Sequence, residues 1–235
     1  MENDELASRL RVASAILFDF DGPICSVFSG LPADGIARHL ATAASEYNLP
    51  LGRKLQGIDD PLEVLRLVHQ VNRDLSRMVE DELTKAEVRA VESASPTDGA
   101  SQALHAAHQS DRAVAVVSNN SAECVRSYLI AHDLSRYVDQ VVGRPEGHPE
   151  RMKPDPYSVT RSVVALDRSP NACSLIGDSV TDVEAAQAAG TSSIGFANKP
   201  GKRELLTMAG ADAVTASMFD VARVLMMPRR SGPTA

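Results

Sequence analysis

The sequence predicts an α/β protein, a doubly wound parallel sheet carrying a small inserted α-helical unit. Two observations lead there. Short apolar runs of strand length recur at about 14–19, 113–118, 138–142, 173–177, 192–196 and 212–215, and helical patterns separate most of them. Strand and helix in alternation imply parallel strands with helices on both faces. The gap between the first run and the second is too long for one crossover, and residues 26–94 are mostly helical in pattern.

The first run, Ile16-Leu17-Phe18-Asp19-Phe20-Asp21-Gly22, ends on an aspartate, with a second two residues later and a glycine that permits a tight turn. Residues two apart in a strand point the same way. Two carboxylates would then crowd one space, which is costly unless a cation sits between them, and Mg²⁺ prefers such oxygen donors. In the long gap, 33–47, 61–71 and 73–91 show apolar residues near helical spacing, and 49–61 reads as a loop carrying Arg53 and Lys54. Thr97 and Asp98 look like caps for a helix over 97–109.

The second run, Val114-Ala115-Val116-Val117-Ser118-Asn119-Asn120, ends in a hydroxyl, and a helix over 121–132 follows. Lys153-Pro154-Asp155-Pro156 sets a lysine at the entrance of a helix over 156–166. Ile176-Gly177-Asp178-Ser179-Val180-Thr181-Asp182 is a third strand end with two more acids. Thr181-Asp182-Val183-Glu184 reads as a capping box, and Gly190 sits where that helix should stop. The ends of parallel strands are where α/β proteins place their chemistry.

Composition narrows the class. A chain of 235 residues with 43% hydrophobic content can bury an ordinary core. A net charge of −7 gives no reason to expect nucleic acid or an anionic membrane as partner. An anionic substrate would need a local positive field from the site itself. Cys25, Cys124 and Cys173 are odd in number, irregularly spaced and without a CxxC, so they read as reduced core thiols of a cytosolic protein. Residues 1–10 carry several acids and no long apolar stretch, which fits neither a signal peptide nor a membrane anchor. His105 and His108 lie three apart with no third ligand in sight and read as surface residues. Oligomeric state is not readable.

In this order and context, the segments around Asp19, Ser118, Lys153 and Asp178 resemble the haloacid dehalogenase-like hydrolase superfamily, on its phosphatase side with an α-helical cap, similar to phosphoglycolate phosphatases. The resemblance covers about residues 14–225. It implies a Rossmann-like catalytic core from 1–25 and 95–227 and a helical cap from 26–94; the end, 228–235, is small, polar and proline-containing and reads as a flexible, frayed tail. The resemblance implies Asp19 as nucleophile, Asp21 as general acid and base, and Lys153 as the neutralising cation. Ser118 and the amides that follow it, Asn119 included, would hold the phosphoryl oxygens. Mg²⁺ would be held by Asp19, the backbone carbonyl of Asp21 and Asp178, with Asp182 holding metal-bound water or orienting Lys153. The second aspartate, Asp21, favours phosphate esters or anhydrides over carbon–halogen bonds, because a halide needs no proton to leave. One departure is Pro23, where the family usually has threonine; proline supplies neither hydroxyl nor N–H, so Asp21 is expected to be held differently here.

The reading is a Mg²⁺-dependent, cytoplasmic phosphatase that hydrolyses a small phosphorylated metabolite through an aspartyl-phosphate. Arg53 and Lys54 read first as a solvated pair of charges, with contact to the far end of an anionic substrate as the alternative, and substitutions in 49–61 are expected to change substrate preference. Two alternatives stand beside it: a phosphomutase using the same aspartates, and a non-catalytic binding protein on the same fold.

Overall fold

The computed structural model describes residues 2–230. Helix α1 (Glu2–Val12) leads into β1 (Ala15–Phe18), and β2 (Cys25–Ser26) follows closely. Four helices come next: α2 (Ala33–Tyr47), α3 (Leu49–Lys54), α4 (Pro61–Val71) and α5 (Arg73–Val91). After β3 (Ser95–Pro96), strand and helix alternate through α6 (Ala100–Gln109), β4 (Ala113–Val117), α7 (Ala122–Ala131), β5 (Gln140–Val142), α8 (Tyr157–Ala165), β6 (Cys173–Gly177), α9 (Val180–Ala189), β7 (Ser192–Phe196), α10 (Lys202–Met208), β8 (Ala213–Thr215) and α11 (Met218–Leu225). Among the described residues, no helix is long and apolar enough to cross a membrane.

Six strands form one parallel sheet in the order β5-β4-β1-β6-β7-β8. The six expected strands are all present. Side chains alternate between its faces. Ile16, Phe18, Val114, Val116, Ile176 and Ile194 pack with α1, α6, α7 and α11, whereas Ala15, Leu17, Ala115, Val117 and Leu175 pack with α8 and α9. Phe18 is level with Val116 of β4 and Ile176 of β6. Asp19, one residue further on, therefore emerges beside the ends of both neighbours, where the strand order reverses.

The helices α2 to α5 have an apolar core of their own, built on Leu40, Val64, Leu65, Val68, Val79 and Leu83. Their caps are local. Asp60 accepts from the Leu62 N–H, and Asn72 accepts from the N–H groups of Asp74 and Leu75. The two connections to the sheet run side by side, because Cys25 and Ser26 pair antiparallel with Pro96 and Ser95.

Several local expectations are corrected. Residues 49–54, expected as loop, form α3, because Leu51 and Leu55 turn inward while Asn48 caps the turn. Thr97 and Asp98 do not cap α6. That helix starts at Ala100 behind Gly99, and the Thr97 hydroxyl instead donates to the Gly22 carbonyl at 2.6 Å. The capping box of α9 is Ser179 with Asp182, two residues earlier than expected, because Ser179 is still extended. Helix α1 was not anticipated; its apolar stripe is little more than Leu6 and Leu10, both buried. Of the terminal segment expected to fray, Arg11 binds the carbonyl of Pro228 and the N–H of Arg230, while residues 231–235 lie outside the described residues. The three cysteines are buried and free, as expected. His105 and His108 are exposed, each edge-on to Tyr137.

Arg112 is buried, and among the described residues no carboxylate pairs with it. Its guanidinium donates to the carbonyls of Leu10, Ala13 and Leu225 and to the Ser110 hydroxyl. These acceptors lie at the C-terminal ends of α1, α11 and α6, where helix dipoles favour a cation. Arg112→Met leaves these buried carbonyls unpaired. Urea denaturation is expected to show a stability loss of roughly 2–4 kcal/mol; an unchanged midpoint would show that the bonds contribute nothing.

Candidate active site

Asp19, Ser118 and Asp178 stand at the carboxyl ends of three adjacent strands, β1, β4 and β6. The Asp19 N–H still bonds to the Ile176 carbonyl at 2.8 Å, so the backbone is fixed while the carboxylate faces the cleft. Lys153 arrives from the segment between β5 and α8 and buries its ammonium in this crossing. Its Nζ donates to Asp19 Oδ1 at 2.7 Å, to Asp182 Oδ1 at 2.5 Å and to the Val117 carbonyl at 3.2 Å. Asn119 brackets the Lys153 peptide, accepting from its N–H at 2.9 Å and donating to its carbonyl at 3.2 Å. Both ends of the Asn119 side chain are thereby engaged, which leaves its backbone N–H as the group that can face an anion.

Asp182 is the N3 residue of α9, and its Oδ2 accepts from the N–H and hydroxyl of Ser179. The same carboxylate thus caps a helix and holds Lys153. Gly177 makes the approach possible, since a Cβ there would lie 2.4 Å from Asp182 Cβ. Gly22 does the same across the site. It has φ of +109°, and a Cβ would meet the Asp178 carboxylate at 2.4 Å. Asp21 Oδ1 accepts from the Val27 N–H at 2.9 Å. With no hydroxyl at position 23, a backbone amide farther along the turn holds the second aspartate. Ser118 Oγ accepts from the Asn120 N–H at 3.0 Å.

Asp19, Asp178 and Asp182 each present an oxygen within 4.8 Å of the others, and among the described residues they are the one such acidic group. The Asp21 carboxylate is not part of it. Two partners of Asp178 went unseen in the sequence. Lys202 pairs with its Oδ2, and Asn198 Nδ2 donates to the same oxygen at 3.0 Å. Asn198 Oδ1 is buried and, among the described residues, has no hydrogen-bond partner.

Charge dominates the site. Burial pushes Asp19 well above the usual carboxylate range; Asp182 and Asp178 add to this, and Lys153 opposes it. Burial alone would lower Lys153, but Asp182 and Asp19 outweigh it and keep the ammonium protonated. Burial also raises Asp21; Asp178 adds to this, while the Val27 N–H, Lys199 and Lys202 pull the other way.

The cleft over these groups encloses about 560 Å³. The helical side contributes Phe28, Asp59, Pro61, Leu62 and Arg66. Arg53 and Lys54 are exposed on α3 and do not line it, in keeping with a solvated pair and not with contact to a substrate held in this cleft. The inward turn of Leu51 and Leu55 points them to solvent. The cation on the helical side is Arg66, whose Nη2 donates to the Lys153 carbonyl at 3.0 Å.

A sequence profile described as haloacid dehalogenase-like hydrolase matches residues 16–196, and the chain belongs to that family. Among curated relatives, the phosphoglycolate phosphatase of Salmonella typhi is 27% identical over 125 residues, 53% of this chain and 49% of that protein. The chain's matched segment thus spans about half the length of the curated relatives it matches. Two solved structures share the fold. One, titled a predicted phosphatase from Clostridium acetobutylicum, has a TM-score of 0.68 at 19% identity and covers 90% of this chain and 97% of its own. The β-phosphoglucomutase of Clostridium difficile has a TM-score of 0.63 at 18% identity, covering 88% and 92%.

The raised Asp21 carboxyl has a consequence for stability. Its folded state holds a proton more tightly than the unfolded chain. Ionising Asp21 as pH rises therefore costs stability. Asn at this position keeps the acceptor for Val27 and carries no charge. Without divalent cations, Asp21→Asn is expected to be more stable than the native chain at neutral pH, with the difference shrinking as pH falls through the carboxylate range. Urea midpoints at several pH values measure it; a variant less stable at neutral pH would contradict the burial argument.

Proposed function

We propose that this protein is a Mg²⁺-dependent phosphatase that acts on a small phosphorylated metabolite through an aspartyl-phosphate. The observation that carries the reading is the buried Lys153 ammonium, which binds Asp19 Oδ1 at the strand end. Among the described residues no hydrogen bond engages Oδ2; that oxygen attacks phosphorus, the bond to the leaving alcohol breaks, and the phosphoryl group passes to Asp19. Asp21 gives its proton to the departing oxygen, a task suited to a carboxyl raised above its ordinary range. Asp21 then takes a proton from water, which attacks the aspartyl-phosphate and releases inorganic phosphate. Ser118 Oγ and the Asn119 N–H hold the phosphoryl oxygens, as suits the end of a parallel strand. Lys153 offsets the charge on those oxygens, an effect typically worth a few kcal/mol of barrier.

The site fits a hard divalent cation. Asp19, Asp178 and Asp182, when ionised, carry more charge than Lys153 and Lys202 balance, and Asn198 Oδ1 is a buried acceptor without a donor among the described residues. Asp19, Asp178 and the Asp21 carbonyl would hold Mg²⁺, which would neutralise the excess and favour an ionised nucleophile. Asp182 is assigned to orienting Lys153, because both its oxygens are engaged by Lys153 and Ser179.

In this reading helices α2 to α5 act as the cap, and Arg66 meets an anionic group on the leaving side. The relative named phosphoglycolate phosphatase supports a substrate of that kind.

The test is phosphate release from a panel of small phosphate esters. Activity with Mg²⁺ is expected to vanish on exhaustive EDTA treatment and return when Mg²⁺ is restored. Asp19→Asn is expected to lose at least about a thousandfold in kcat while keeping its fold, because an amide is a poor nucleophile. Turnover that survives EDTA, or full activity in Asp19→Asn, would overturn the assignment. Phosphorus NMR of the products separates free phosphate from phosphate moved to another hydroxyl of the substrate, the signature of a mutase.

A further inference from the structure

Helix α5 and the loop after β4 meet across a buried charge cluster that the chemistry above does not use. Glu80, Thr84 and Glu87 share one face of α5 and converge on Arg144, which follows β5. The Arg144 side chain is 1% exposed and that of Glu87 is 0%. Arg144 Nη1 donates to Glu87 Oε1 at 2.7 Å and Nη2 to Glu87 Oε2 at 3.3 Å, a two-pronged pairing.

The pair reaches the residues that follow Ser118. Glu87 accepts from Asn120 Nδ2 at 3.2 Å and from the Ser121 N–H at 2.9 Å. Arg144 donates to the Asn119 carbonyl at 3.1 Å, and its own N–H donates to the Asn120 carbonyl at 2.8 Å. Asn120 in turn donates its N–H to Ser118 Oγ and accepts from it through Oδ1. A continuous set of polar contacts thus runs from α5 through Glu87 and Asn120 to the Ser118 hydroxyl. Glu80 belongs to the same cluster but not to this path. It accepts from Arg144 Nε at 3.2 Å and from the Gly147 N–H at 2.8 Å.

We propose that Glu87 and Arg144 are positioning residues for the phosphate-binding loop 118–120, so that phosphate affinity depends on a contact made by the helical insertion. The inference rests on the phosphatase reading. Stability alone is a poor reason for the cluster. One guanidinium and two carboxylates are expensive to bury, and apolar side chains of similar volume commonly fill such a space at lower cost. What the charges add is direction. Each Glu87 oxygen points its lone pairs at a particular N–H, and the loop's conformation follows.

The probe is inorganic phosphate, with its Kd measured by titration calorimetry on the full chain in Mg²⁺. Glu87→Gln weakens a charge-assisted bond to the loop and is expected to raise the Kd about tenfold. Glu80→Gln disturbs the same arginine without touching 118–121 and is expected to stay within about twofold. Thermal unfolding reports the structural cost of each. Should Glu87→Gln fail to fold, Glu87→Leu with Arg144→Met removes both charges and leaves neither partner of the pair alone. That double variant is expected to fold and to show at least the same tenfold loss. Folded variants that bind phosphate like the native chain would overturn the inference, as would equal losses in Glu80→Gln and Glu87→Gln. A native chain that binds no phosphate would overturn the phosphatase reading itself, and this inference with it.

Discussion

Lys153 Nζ lies 2.7 Å from Asp19 and 2.5 Å from Asp182, in a crossing of strand ends from which solvent is largely excluded. Much of the active end of the sheet follows from satisfying that one cation. Asp182 must reach it from the first turn of α9, which requires a glycine at 177. Asn119 must grip the lysine's own peptide, which ties the end of β4 to the segment before α8. Asp19 supplies the second carboxylate while its backbone stays in the sheet. Three elements distant in sequence are thereby fixed relative to one another by a single buried ammonium.

Such an arrangement works against the stability of the fold. Carboxylates gathered under a low-dielectric cover resist ionisation, and Asp19 and Asp21 are both driven upward for that reason. In the proposed reading, a divalent cation and a phosphate would meet this charge. The strain is carried by the rest of the molecule, including the apolar layers on both sheet faces and the helix ends gathered by Arg112. Sites of this kind are where stability is traded for function.

What the sequence disclosed and what it hid divide along a physical line. Buried parallel strands are continuous apolar runs, so all six could be read from local pattern, and the acids at their ends stood out against that background. Asp19, Ser118, Lys153 and Asp178 were legible because each sits at a strand end or helix entrance whose local grammar is strong. Arg66, Glu87, Arg144, Asn198 and Lys202 were not. Each acts through a partner distant in the chain, as Arg144 does with Glu87 across 57 residues, and no local periodicity encodes such a meeting. Arg53 and Lys54 left two readings open for the complementary reason. Their charge was visible, but the inward turn of Leu51 and Leu55 that points them to solvent was not. The cap of α6 slipped because Thr97 found a tertiary partner in the Gly22 carbonyl, and that of α9 because Ser179 is still extended and closes the box with Asp182.

The central claim is that Asp19, held by Lys153, receives the phosphoryl group. Its most direct test is to mix the enzyme with Mg²⁺ and a turned-over phosphate ester, quench in acid within milliseconds, and map the phosphorylated peptide by mass spectrometry. The account predicts one acid-stable, base-labile phosphoryl adduct on Asp19. Phosphate on any other residue, or brisk turnover with no covalent adduct at any quench time, would contradict it.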